Sequence, residues 1–151
     1  MKYFHLIGIA LLLSGCVTIP TPEPTATVAA PYVLVTEDNP YAPKPEDANK
    51  QIAGVTMTSI NLLERFDLDP VRVEVDFLGS LPSVCNILRV KVNPPDDKHQ
   101  VFIDVYSLID PNVQCDNVFQ QFNASILLGV YSTGRFTVWV NGGLIGDFVT
   151  Y

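Results

Sequence analysis

The strongest constraint on the fold is a strict two-residue alternation between Val71 and Phe77. Val71, Val73, Val75 and Phe77 are apolar, and Arg72, Glu74 and Asp76 between them are charged. Successive side chains of a strand point to opposite faces, so this pattern predicts a strand with one face buried and one wet. Asn86–Asn93 alternates the same way, with Leu88, Val90 and Val92 facing in and Arg89 and Lys91 facing water. Further β-type runs cover Ile52–Leu63, Gln100–Ser107, Phe122–Leu128, Arg135–Val140 and Leu144–Tyr151. Turn residues separate them: Asp67-Leu68-Asp69-Pro70, Gly79-Ser80-Leu81-Pro82, Asn93–Lys98 and Asp110-Pro111-Asn112. Asn141-Gly142-Gly143 is the best hairpin signal, because Asn and Gly accept the positive φ of tight hairpin turns. Only Val113–Gln121 has room for a helical turn or two. About seven short strands at this spacing predict an all-β chain folded as a two-sheet antiparallel sandwich. A small closed β-barrel is the alternative.

The N-terminal segment has a different character. Met1–His5 carries one firm positive charge, and Leu6–Leu13 is an uninterrupted apolar run of eight. That is well short of the ~20 residues a membrane-spanning helix needs, and it fits the apolar region of a signal peptide. Leu13-Ser14-Gly15-Cys16 follows. This stretch resembles the lipobox of bacterial lipoproteins: a Leu, two small residues, then the Cys that receives the lipid. The resemblance implies a signal peptide over 1–15, cleavage before Cys16, a thioether-linked diacylglycerol on that cysteine, and often a third, amide-linked acyl chain. Several chains hold a protein stably on a membrane where one does so only marginally. The expected location is therefore extracytoplasmic, anchored by lipid to the cell membrane or the outer membrane.

From Val17 to about Lys50 proline dominates. Seven of the 12 prolines fall here (20, 22, 24, 31, 40, 43 and 45), with Thr and Ala filling the gaps. Proline fixes φ and removes backbone donors, so residues 16–50 are expected to form a lipidated, semi-rigid tether ahead of a β-domain over 51–151. Tyr32-Val33-Leu34-Val35-Thr36 is an apolar island within it, either an added edge strand or a patch of linker.

Two further likenesses sharpen the domain. Ser132-Thr133-Gly134-Arg135-Phe136-Thr137-Val138 resembles the start of strand F in immunoglobulin-like domains, with Phe136 in the usual tyrosine place and Val138 in the usual cysteine place. Gly79–Cys85, Cys115 and the stretch from Gly134 to Gly142, taken in order, are similar to an uncharacterised class of small sandwich domains in bacterial lipoproteins. These resemblances imply an immunoglobulin-like sandwich and no particular activity.

Once Cys16 is lipidated, Cys85 and Cys115 are the two remaining cysteines, and an even pair outside the cytoplasm predicts a disulfide. His99 is the one histidine of the mature chain and falls in a Pro-Asp-Asp-Lys turn, where it reads as solvated. No catalytic constellation, metal site or cofactor motif is read. Asp67, Asp69, Asp96 and Asp97 are taken as turn acids, since no Asp-x-Asp-x-Asp-Gly calcium loop is present. A net charge of -7 with scattered Lys and Arg argues against nucleic acid. Trp139, Phe102 and Tyr106 fall on the outward parity of their strands, and exposed aromatics of this kind can anchor a partner or stack on a sugar. The expected function is non-enzymatic: a tethered domain contacting an envelope protein or polymer. The alternative is a small inhibitor or accessory subunit of a secreted envelope enzyme.

Overall fold

Eight strands form where the alternating runs lie: β1 Gln51–Ala53, β2 Thr56–Arg65, β3 Arg72–Leu81, β4 Ile87–Val92, β5 Gln100–Ile109, β6 Gln120–Leu127, β7 Gly134–Val140 and β8 Gly143–Thr150. They come from a computed structural model that describes residues 39–151. The signal-peptide segment, Cys16 and the Tyr32–Thr36 island lie outside the described residues. A five-stranded sheet holds β1, β4, β5, β7 and β8, and a three-stranded sheet holds β2, β3 and β6. The two sheets face each other as an open sandwich, as the alternation predicts, and do not close into a barrel. Every pairing is antiparallel except β5 with β7, which is parallel.

Val73, Val75 and Phe77 point into the core, joined by Leu88, Val90, Val101, Ile103, Ile126, Phe136, Val138 and Phe148. The expectation fails in three places. Val71 is 48% exposed, because β3 begins only at Arg72, after the turn. The run Ile52–Leu63 is two strands, broken at Gly54-Val55, so that β1 joins one sheet and β2 the other. Val113–Gln121 forms no helical turn: an Asp110–Asn112 side-chain turn leads into extended chain.

One edge of β5 is covered in relay by three partners. β7 pairs with Gln100–Ile103, and β1 pairs with Ser107–Ile109. Asn141 fills the gap between them. Its backbone N–H donates to Ile103 O at 3.0 Å. Its side-chain amide accepts from Val105 N at 2.8 Å and donates to Val105 O at 2.9 Å. Asn141 and Gly142 form the two-residue turn between β7 and β8, with φ of 47° and 81°. Those angles suit these two residue types and few others.

Two of the crossovers between sheets meet at one end. The turn over 82–86 carries the chain from β3 to β4, and the loop over 110–119 carries it from β5 to β6. A disulfide between Cys85 and Cys115, Cα atoms 6.1 Å apart, ties the two crossovers together. Beside it runs a buried polar relay. Ser83 Oγ donates to Asn86 Oδ1 at 2.6 Å, Asn86 Nδ2 to Ser107 Oγ at 3.0 Å, and Ser107 Oγ to Gly54 O at 2.9 Å. The relay satisfies the carbonyl freed where β1 gives way to β2, and buried polar groups need such partners.

Residues 39–50, which composition groups with the tether, are bonded to the domain. Asn39 is buried, and its Nδ2 donates to Val90 O at 2.8 Å. Val90 N donates to Tyr41 O at 2.9 Å, so this segment covers the outer edge of β4. The chain then forms a 3-10 turn over Pro45–Asn49, with proline at its first position, where the missing donor costs nothing. Asp47 of that turn grips Arg89 through two hydrogen bonds, at 2.6 and 2.9 Å. From there the chain enters β1 on the far side of β5. Residues 39–50 thus form a strap across the outer face of the five-stranded sheet.

Candidate binding face

The outward positions of the five-stranded sheet divide into a covered half and an open half. The strap covers the first. Arg89, expected in water, points outward as its parity requires, yet it is only 6% exposed because Asp47 lies over it. Hydrogen bonds from Arg89 hold the Asp47 carboxyl far below the usual carboxylate range, against the opposing effect of burial. The Lys44 backbone N–H and the Lys50 ammonium assist. Tyr106 sits opposite Arg89 in register and borders the same strap, as does Leu108. Burial, then the Asp47 charge, raises the Tyr106 phenol above its ordinary value. Tyr106 thus borders the strap, with the same partial exposure as Phe102 and Trp139.

The open half holds the other two predicted aromatics. Phe102 and Trp139 are Cα partners across the parallel β5–β7 pair, with ring centroids 6.2 Å apart and planes tilted by 32°. Both are partly exposed. Trp139 Nε1 donates to Thr137 Oγ1 at 3.1 Å on its own strand, which fixes the indole without burying it. Leu144 of β8 is in register with Trp139 and 57% exposed. Phe102, Trp139 and Leu144 thus make an apolar row across three strands. Around it lie polar groups: Asn93 and Asp104, bonded at 3.1 Å, and the exposed Arg135–Asp147 ion pair. Sequence reading passed over Leu144. The signal was present, since a two-residue turn at Asn141-Gly142 sets residue 144 opposite residue 139.

The remaining sequence candidates, His99, Asp67, Asp69, Asp96 and Asp97, lie in or beside turns. His99 is exposed with φ of 58°, and its ring stacks on Phe136 at 4.7 Å. Asp96 Oδ1 accepts from the backbone of Lys98 and Gln100, shaping that turn. Asp67 accepts two hydrogen bonds from Arg65, which lower its carboxyl pKa. Among the described residues, no group of three or more His, Cys, Asp or Glu could hold a metal ion.

A concavity of about 510 Å³ opens at the end of the sandwich away from the disulfide. Phe66, Pro70, Val71, Val130, Tyr131 and Tyr151 line it, with Glu64 and Asp69 among them. Tyr131 packs on Phe136 and Phe148, and burial pushes its phenol up to about 12.

The chain matches no protein-family model, and neither a curated protein nor a solved structure is significantly similar to it.

Proposed function

We propose that the protein is a lipid-anchored extracytoplasmic lipoprotein whose sandwich is a non-catalytic binding domain, with the Phe102–Trp139–Leu144 row as its contact surface. The observation that carries this reading is the in-register apolar row with a polar rim, left open while the adjoining half of the same face is strapped. An apolar centre within a polar rim is the usual anatomy of a recognition surface. The partner is a protein or polymer of the cell envelope, which the anchor implied by Leu13–Cys16 would keep within reach.

One fractionation and capture experiment tests both parts. The full-length protein should partition into detergent, and Cys16→Ser should move it to the aqueous phase. Capture of envelope polymer or protein should fall at least tenfold in Trp139→Ala. Stability should change little, because the ring is not part of the core. Unchanged capture removes the binding face, and aqueous partitioning of the unaltered protein removes the anchor.

A further inference from the structure

Open sheets end in edge strands with unpaired backbone groups, and proteins blunt such edges with charge, proline, bulges or a covering segment. Four of the five edge strands of this sandwich are blunted, β1 by being only three residues long. The strap covers β4 at Val90. β2 has a bulge between Met57 and Ser59 and carries Glu64 and Arg65. β8 has a register shift opposite Val138–Trp139 and carries Asp147.

The fifth edge, β6, has none of these devices. It pairs with β3 in unbroken register from Glu74–Leu127 to Leu81–Gln120, and among the described residues it has no other strand partner. Its sequence holds no proline, and no charged side chain occurs between Asp116 and Arg135. Val118 and Phe119, which lead into it, are 58% and 72% exposed.

We propose that β6 is a homodimer seam, pairing antiparallel with β6 of a second copy about a two-fold axis through Asn123. The strand is self-complementary in that register. Phe119 falls opposite Leu127 and Gln121 opposite Ser125 on the outer face, and Phe122 falls opposite Ala124 on the core face. In these three pairs a large side chain meets a small or apolar one, while Asn123 faces its own copy across the axis and Gln120 faces Ile126, so the strand can pair with itself as a two-fold interface requires. The absence of charge along the strand lets two chains of net charge -7 meet there without repulsion at the seam. The result is one six-stranded sheet across two sandwiches, with both Trp139 faces left free.

Cysteine crosslinking in the full-length protein tests the register. The unaltered protein supplies the background from its own cysteines. Under mild oxidation Asn123→Cys should give a band at twice the mass of the monomer band. Gln121→Cys alone should not, since the two copies of residue 121 would lie about 14 Å apart along the strands. Gln121→Cys mixed with Ser125→Cys should restore the band, and adding Asn123→Lys to both should abolish it by setting two ammonium groups face to face. Circular dichroism verifies that each variant keeps its β-signature. Equal bands at all positions would mean random collision, and no band at any position would mean a free edge; either overturns the proposal. Crosslinking of residue 123 to a cysteine placed within residues 32–36 also overturns it, by giving the edge to the chain's own tether.

Discussion

At the tip of the last hairpin, Asn141 holds a left-handed backbone while its amide bonds both backbone groups of Val105. The two roles separate by substitution. Asn141→Gly keeps the backbone geometry and loses both side-chain bonds, so it should cost about 2 kcal/mol, at roughly 1 kcal/mol per bond. Asn141→Ala loses the same bonds and adds the left-handed penalty of a Cβ, about 1–2 kcal/mol more. Urea unfolding of the three proteins checks the order, and equal stability of the Gly and Ala variants would remove the strain component. At this scale the sequence was partly legible. Asn141-Gly142 announced its turn, and strand parity put Phe102 and Trp139 on one outer face. The bond from Asn141 to Val105 was not legible, because it spans 36 positions and leaves no local pattern. Arg89 is the same case. A charge on the outer parity reads as wet, and its burial depends on Asp47, 42 positions away.

Among the elements, the strap over 39–50 is the one composition describes least well. Prolines mark where regular structure stops, and they do not say whether the irregular chain that follows is docked. The Asp47–Arg89 pair does the docking, with side chains only 10% and 8% exposed. Asp47→Asn should cost about 3 kcal/mol at neutral pH, since it leaves the Arg89 guanidinium covered without its counter-charge. The pH dependence follows from the sign of the shift. The Asp47 pKa is depressed in the folded protein, so its stabilisation is present above the unfolded carboxylate value of about 3.9. It is lost as pH falls below that value toward the folded one. The stability gap between the native protein and Asp47→Asn should therefore narrow in acid, as read by denaturant midpoints at pH 7 and pH 3. A gap that stays constant would mean that the carboxylate charge is not what holds the strap. The split of the first run into β1 and β2 was foreshadowed by Gly54 within an apolar stretch. The parallel β5–β7 pairing had no precursor in the sequence, because alternation reports which face a residue takes and says nothing of strand order.

For the whole molecule, the sandwich is closed at one end by Cys85–Cys115, which ties the β3–β4 crossover to the β5–β6 crossover. Cysteine parity made this bond legible, and the Cα separation of 6.1 Å suits it. Replacing both cysteines with serine should lower stability by about 3.6 kcal/mol, the chain-entropy value for a loop of this length. Equilibrium unfolding with and without the replacement measures it, and a loss under about 1 kcal/mol would show that the crossovers are held without the bond. The path of the strap has a mechanical consequence. Tension applied through the N-terminal side meets its contacts in series. The bonds of Asn39 and Tyr41 to Val90 come first, the Asp47–Arg89 grip second, and the short β1 ladder third. Each must yield before the next is loaded, and β2 and the core feel the pull only after all three. A domain pulled from that side would give ground in steps while the Phe102–Trp139 face keeps its shape.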